Sequence, residues 1–353
     1  MRHILRKLEA DIDKVPAVKL SVIIPVHNGG DEFLLCLEAL AKSTRCPDEI
    51  IVSDDASTDG SGQLALHYGA DVLNLGLVPR GPAFARNRGA DQASGDTLVF
   101  LDADVAIHPD ALARMEGYLA EHPDIAAVFG SYDACPRADS LVSRYKNLLH
   151  HYIHQHSRRE VSTFWGACGA IRRHAFAALG GFNEEYLRPR TEDIEFGLRL
   201  RRAGYRVWLC ADIQVTHLKC WTLSSLLRTD ILDRAIPWTR LILQNTNLPS
   251  ELNLDVRSRL SAITAWAAVT TFAIGLQWPW VLVGTLLSLM AVVALNADLY
   301  RFFQRQGGFG FAIGAAGLHV LYLLYSSLVF VLVIVQTLLV RPLARLRKPK
   351  SRK

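Results

Sequence analysis

No charged side chain occurs between Leu260 and Ala297, and none again between Gln306 and Val340 while His319 is neutral. A helix needs about 20 apolar residues to cross the hydrocarbon of a bilayer. Few soluble folds absorb charge-free runs this long. The chain from 256 to 340 therefore reads as an α-helical membrane module, with spans expected near 261–277, 278–296 and 318–340. The "QWPW" of 277–280 supplies a turn proline and interfacial tryptophans, so the first two spans read as a hairpin. The run from Gly307 to Val340 is longer than one span and barely enough for two. An interfacial or re-entrant piece near 309–317 is one way to accommodate it. The tail "RPLARLRKPKSRK", 341–353, holds seven basic residues. Beside a span, such a run reads as a cytoplasmic anchor on anionic lipid. Nucleic-acid binding is not expected, because the run abuts lipid and lacks interleaved aromatics.

Residues 1 to about 255 carry the regular charges and turn residues of a soluble domain. In the N-terminal segment 1–18, Ile4, Leu5, Leu8 and Ile12 share one helical face, with Arg2, Arg6 and Lys7 nearby. That pattern suits a helix lying on a membrane surface, and equally a helix docked on the domain. It has no apolar core of the secretory kind. The six cysteines form no C-x-x-C pair, which fits a reducing cytoplasm. The net charge of +5 follows largely from the tail.

Between 19 and 255, short apolar runs alternate with helix-spaced segments. "LSVIIPVHNGG" (20–30) is a β-run closed by turn residues, and "DEFLLCLEALAKS" follows with helical spacing. "DEIIVSDDASTDGS" is a second strand, and a third lies near Val72–Leu75. "GPAFARNRGADQAS" reads as a helix, and "DTLVFLDADV" as the next strand. The alternation predicts a mostly parallel, Rossmann-like sheet with helices on both faces. Ligands of such sheets bind beyond the carboxyl ends of the strands. Pro25, His27 and Asn28, then Asp54 and Asp55, then Asp102 and Asp104 all fall at such ends. Three strand ends carrying polar groups thus converge on one crevice.

Asp102 and Asp104 pose a physical problem, because buried carboxylates are costly unless their charge is compensated. A hard divalent cation resolves it: Mg²⁺ or Mn²⁺ takes one or two carboxylates plus substrate phosphates. It would also neutralise a departing diphosphate. There is no Walker lysine motif, so this is not a P-loop site.

In this order, "SVIIPVHN", "IIVSDDASTDGS", "GPAFARNRGA", "FLDADV" and "RTEDIEFGLRLRRAGYRV" resemble the family 2 glycosyltransferases, which have the GT-A fold. The resemblance covers about residues 20–240. It implies a nucleotide-sugar donor that gives its sugar, with inversion, to an acceptor hydroxyl or phosphate. By the same resemblance, Pro25 to Asn28 would line the nucleotide pocket. Asp54 and Asp55 would hold base and ribose, and Arg86 would approach the nucleotide or diphosphate. Asp102 and Asp104 match the family's DxD metal motif. Glu192-Asp193 match its "ED" pair, with Asp193 as general base. The in-line displacement needs a base on the acceptor side and charge stabilisation on the leaving side, so acids from two chain segments make chemical sense. Thr191 is a candidate N-cap for the helix that carries the base.

Trp165, within "STFWGACGAIRR", is a candidate platform for a sugar face, or a buried aromatic. His217, after a strand, is a candidate third metal ligand, or a structural histidine. Many membrane-processive relatives carry Q-x-x-R-W. Here "LDRAIPW" keeps Arg234 and Trp238, as candidate donor contacts, without the glutamine or the spacing. Single-sugar transfer is therefore favoured over a processive polysaccharide synthase. A catalytically silent scaffold would have no need of acids at Asp102, Asp104 and Asp193. His150, His151, His154 and His156 crowd one helix. His150 and His154 could face a metal together, but no carboxylate or cysteine is close in sequence. A histidine face toward acceptor or headgroups is the preferred functional reading. The expected partners are a nucleotide-sugar donor, a lipid or lipid-linked saccharide acceptor, and the membrane. The expected location is the inner (plasma) membrane, multi-pass, with the catalytic domain in the cytoplasm where nucleotide sugars are.

Overall fold

The structure is a computed structural model that describes residues 18–188, 190–244 and 256–346, with side chains described as far as Leu339. Apart from Val18 and helical backbone up to Leu346, the N-terminal segment and the basic tail lie outside the described residues. The chain forms two compact units. The first comprises residues to Asp133 and Arg158–Lys219; the second comprises Ala134–Ser157 and Cys220 onward.

The first unit is built on a nine-stranded mixed sheet. β1 (Leu20–Val26), β2 (Glu49–Asp54), β3 (Asp71–Asn74) and β4 (Thr97–Leu101) pair in parallel in the order β3-β2-β1-β4. α1 (Gly30–Leu40), α2 (Ser61–His67) and α3 (Pro82–Gln92) connect them. All five residues of β4 are buried, as a strand covered on both faces requires. α1 buries Phe33, Cys36, Leu37 and Leu40, one stripe at helical spacing. α3 begins with Pro82, whose missing N–H is harmless in a first helical turn.

Beyond β4 the pattern changes. β5 (Val105–Ile107), α4 (Ala111–Glu121) and β6 (Ile125–Tyr132) follow in sequence; after the excursion into the second unit come β7 (Glu160–Val161), β8 (Cys168–Arg172), α6 (Arg173–Ala178), α7 (Glu192–Arg202) and β9 (Arg206–His217). β8 inserts antiparallel between β4 and β6, and β9 runs parallel to β6. The sheet is therefore mostly parallel, as the alternation predicts, with an antiparallel insertion. Its two faces hold separate apolar clusters. One is centred on Val22, Ile24, Val99 and Val128; the other is centred on Ile23, Phe100, Phe129 and Phe196.

The second unit is helical. It contains α5 (Leu141–Gln155), α8 (Leu223–Arg228), a π-helical turn (Thr229–Ala235), α9 (Ile236–Gln244), α10 (Val256–Gly275), α11 (Leu282–Leu295) and α12 (Ala297–Leu346). Tyr145, Leu149, Trp221, Leu299 and Phe303 form its main apolar cluster. A buried ion pair joins Lys146 Nζ to Asp230 Oδ1 at 2.5 Å, and the Tyr325 hydroxyl donates to Asp230 Oδ2 at 2.6 Å.

Two adjustments to the expected spans emerge. α10 and α11 are joined by a short 3₁₀ turn at Pro279–Val281, with Thr271 and Thr285 in hydrogen-bond contact at 3.0 Å. α11 is only 14 residues long. No boundary exists near 318: the last helix breaks at Gly308, where φ is 78° and ψ 179°, and is otherwise continuous. Only glycine adopts that backbone readily, and nothing in 309–317 interrupts a helix. Among the described residues, one helix, Ala297–Leu339, is long and apolar enough to cross a membrane, and Pro279–Leu295 is apolar but shorter.

Candidate active site

Because β2, β1 and β4 are adjacent and parallel, their carboxyl ends lie side by side. Asn28 takes a positive φ of 51° just after β1, and its Oδ1 accepts the Thr58 N–H at 2.8 Å. His27 Nδ1 lies 2.7 Å from the Asp55 carbonyl. Asp54 Oδ1 accepts the Ser57 N–H at 2.8 Å. The Asp55 carboxylate accepts the N–H groups of Arg80 and Gly81 at 2.9 and 2.7 Å. Both acids are thus buried and tie down the loops around them. Pro25 lies within β1, opposite Ser53.

Arg86 is the centre of the constellation. It sits on α3 with its side chain only 4 % exposed. Its guanidinium donates to Asp102 Oδ1 at 2.6 Å and to Glu192 Oε1 at 3.0 Å. Burial works against the cation, but the charges of Asp102 and Glu192 outweigh it and hold Arg86 protonated. The arginine therefore links the acid at the end of β4 to the acid at the start of α7. Glu192 also accepts the Arg190 N–H at 2.8 Å. It is an ion-paired, buried group rather than a solvated helix-dipole acid. Thr191 occupies the N-cap position, yet its hydroxyl makes no capping bond.

Asp193 follows at once. Its Oδ2 accepts the Gly166 N–H at 3.3 Å, and its Oδ1 accepts the Ile194 N–H at 2.8 Å. Burial first, and the Glu192 charge next, push its carboxyl up to about 7, against the opposing pull of Arg86 and Gly166. A carboxylate poised near neutrality is suited to accept a proton.

Asp102 and Asp104 lie on the turn between β4 and β5. The Asp102 N–H bonds the Ala167 carbonyl at 3.1 Å, and the Leu218 N–H bonds the Asp104 carbonyl at 2.9 Å. The Asp104 carboxyl is pushed up to about 6 by burial and then by Asp102, although water still reaches part of the side chain; Lys219 pulls it back. His217 Nε2 is 3.9 Å from Asp104 Oδ2. Among the described residues no three His, Cys, Asp or Glu side chains converge into a ready metal cage. Two repelling hard-oxygen acids nevertheless fit a divalent cation completed by substrate oxygens, the usual habit of Mg²⁺. His217 is adjacent to that pair rather than converged with it.

Three contributors have no motif of their own. Tyr132 stacks on His217 at 4.3 Å between ring centroids and meets Trp165 edge-on at 4.9 Å. Trp165 is partly buried against both faces of the core. Gly166 aims its N–H at Asp193, and a Cβ there would come within 3.1 Å of the Arg86 guanidinium carbon. Lys219 approaches Asp104; its place two residues after His217 was the only signal in the sequence.

Arg234 and Trp238 lie in the second unit, on the π-helical turn and on α9. The histidines of α5 and of its C-cap lie against neighbouring rings. His150 and His154 rings lie 4.0 Å apart, His151 stacks on Phe302, and His156 on Tyr152.

A mostly parallel sheet with acids at the ends of adjacent strands, continued by an antiparallel half that returns a second acid pair to them, defines the GT-A class. The fold matches that of a mannosyltransferase from Pyrobaculum calidifontis, PcManGT, solved with GDP-Man and Mn²⁺. The TM-score is 0.53 at 19 % identity, covering 89 % of this chain and 93 % of that one. Residues 21–180 match the model for glycosyl transferase family 2, and the chain carries a glycosyltransferase domain of that family. It is 36 % identical over 206 residues to glycosyltransferase AglE of Haloferax volcanii, covering 56 % of this chain and 66 % of AglE. It is 42 % identical over 94 residues to the uncharacterized glycosyltransferase YibD of Escherichia coli, covering 26 % of this chain and 27 % of YibD. It is 27 % identical over 218 residues to the O-antigen chain rhamnosyltransferase RfbN of Salmonella typhimurium, covering 58 % and 68 %. The chain thus spans about a quarter of YibD and about two thirds of AglE.

Proposed function

We propose that this protein is an inverting, divalent-metal-dependent glycosyltransferase that moves a sugar from a nucleotide-sugar donor to a lipid or lipid-linked saccharide at a membrane. The observation that carries the reading is the Asp102–Arg86–Glu192 bridge. It fixes a metal-type acid pair and a proton-accepting acid in one rigid assembly.

In the proposed reaction the acceptor oxygen forms a bond to the anomeric carbon. The bond from that carbon to the donor diphosphate breaks, and the acceptor proton passes to Asp193. The Gly166 and Ile194 N–H groups aim the Asp193 carboxylate. Arg86 holds Asp102 and Glu192 in register. Asp102 and Asp104 would hold Mg²⁺ or Mn²⁺, which supplies charge neutralisation for the departing diphosphate. His217, steadied by Tyr132, and Lys219 would flank that charge. Pro25, His27, Asn28, Asp54 and Asp55 would frame the nucleotide, and Trp165 the sugar.

A saccharide acceptor is supported by the similarity to RfbN, an O-antigen chain rhamnosyltransferase, and Mn²⁺ with a nucleotide sugar by the shared fold of PcManGT, solved with both. A membrane location is supported by physical exposure. Phe272, Leu286, Met290, Val331, Leu332, Val335 and Leu338 of α10, α11 and α12 all face outward. So large an apolar surface is untenable in water. α12 is proposed as the principal span, with α10 and α11 as a membrane hairpin.

The test is binding of UDP and GDP to detergent-purified protein, with and without Mn²⁺, beside Asp104→Asn. One nucleotide should bind tightly only with Mn²⁺, and the variant should lose at least tenfold in affinity. If neither nucleotide binds the folded protein under any metal condition, the transferase reading fails.

A further inference from the structure

In the first unit, every large apolar side chain described as exposed, Leu66 apart, lies on two touching loops. One loop joins β3 to α3 and carries Leu77 and Val78, 97 % and 72 % exposed. The other precedes α7 and carries Leu187, 68 % exposed. The loops meet at Gly81, where a Cβ would lie 2.6 Å from the carbonyl carbon and oxygen of Leu187. Gly81 also has a φ of +96°, so glycine is required there twice over.

The first loop is pinned at its base. Asn74 Oδ1 accepts the Gly76 N–H at 3.1 Å at one end, and Asp55 holds Arg80 and Gly81 at the other. Leu77 and Val78 are therefore held out at the tip with nothing among the described residues to cover them. A loop free to collapse would bury them. Basic groups surround the apolar tips. Arg80 packs over the Phe84 ring at 3.5 Å, and Arg188 and Arg190 are exposed on the second loop. The acids nearby are Glu184, engaged by Arg88 at 2.6 Å and by Arg80 at 3.8 Å, and exposed Glu185. Cations therefore outnumber anions on this lip. The second loop leads directly into Glu192 and Asp193.

We propose that this lip, Leu77-Val78 with Leu187 and the arginines 80, 188 and 190, inserts into the headgroup region of an anionic lipid bilayer. Apolar tips ringed by arginine match that interface: the tips enter the acyl boundary and the guanidiniums pair with lipid phosphate. The inference deepens the proposed function, because it would bring the base-bearing segment to the level at which a lipid acceptor presents its reacting group. It rests on the membrane part of that reading and not on the chemistry.

The experiment uses the full chain in nanodiscs of phosphatidylcholine with or without phosphatidylglycerol. The exposed cysteines Cys46, Cys135 and Cys220 are changed to serine. The buried Cys36, Cys168 and Cys210, whose thiols burial pushes up, do not react. An NBD dye is then attached to Leu77→Cys and, as the control, to Leu66→Cys on α2, also solvent-facing but outside the two loops of the lip. At 77 the emission should shift to shorter wavelength in the phosphatidylglycerol discs and be quenched by doxyl-labelled lipid, while 66 stays water-like. Water-like emission at 77 in protein that remains disc-bound overturns the lip and leaves the transferase reading standing. A shift without doxyl quenching means a protein neighbour and also overturns it. Failure of the chain to enter discs overturns the lip together with the membrane reading, whereas loss of Mn²⁺-dependent nucleotide binding alone touches only the chemistry.

Discussion

Asp193 shows how a single carboxyl acquires a function from its surroundings. Its ordinary value of 3.8 would leave it a poor base at neutral pH, and burial beside Glu192 raises it to about 7. Turnover should therefore rise with pH through about 7 and level off above, when initial rates are followed across pH 5.5–9. Asp193→Asn keeps an oxygen for the Gly166 N–H but cannot take a proton, so kcat should fall by about 10³-fold. The same shift carries a sign for stability. The folded carboxyl titrates above its unfolded value, so ionisation penalises the fold. That penalty is absent below about pH 4 and complete above about pH 7. The asparagine variant should accordingly melt higher than wild type at pH 8, with the difference vanishing toward pH 4. Equal melting temperatures at pH 8 would mean that Asp193 is not held in this environment.

At the scale of elements, the site depends on α7 lying backbone-to-backbone against the segment 163–166. A Cβ on Gly197 would come within 2.3 Å of the Phe164 nitrogen and 2.4 Å of the Thr163 carbonyl carbon. Gly197→Ala must push that segment away, at a cost of about 1–3 kcal/mol. It should also displace Gly166 from Asp193, so that melting temperature and kcat fall together while Mn²⁺-dependent nucleotide binding changes little. A variant with normal turnover would show that the helix can shift without disturbing the base. Such contacts mark what was legible in the sequence. β1 to β4 and their helices could be read, because local apolar runs and turn residues specify them. The acids of the site could be read because strand ends and motifs mark them. The insertion of β8 between β4 and β6 could not, since antiparallel pairing across about 70 residues leaves no local pattern. Nor could Arg86 be seen to bridge Asp102 and Glu192. Its partners lie 16 and 106 residues away, and only the tertiary fold brings them together. The break at Gly308 was hidden for a different reason: in a glycine-rich apolar run, composition alone does not say which glycine leaves the helix.

For the whole molecule, the question is what holds the chain to a membrane. Two sources are conceivable, and they respond oppositely to salt. A basic tail binds anionic headgroups by charge, and that attraction is screened within about 3 Å at 1 M salt. An inserted helix does not depend on ionic strength. α12 presents Phe330, Val331, Leu332, Val335, Leu338 and Leu339 outward, and no Asp, Glu, Lys or Arg interrupts the sequence from Gln306 to Val340. The second mechanism should therefore dominate. Membranes from cells expressing the full chain should retain it after a 1 M NaCl wash and after alkaline carbonate, and release it only in detergent. Placing arginine at both Val331 and Val335 adds about 2.5–3.5 kcal/mol per residue near the middle of a span. That variant should partition into the soluble or aggregated fraction. Release of the wild-type chain by salt alone would assign its attachment to charge, and the apolar face of α12 would then have to be covered by protein.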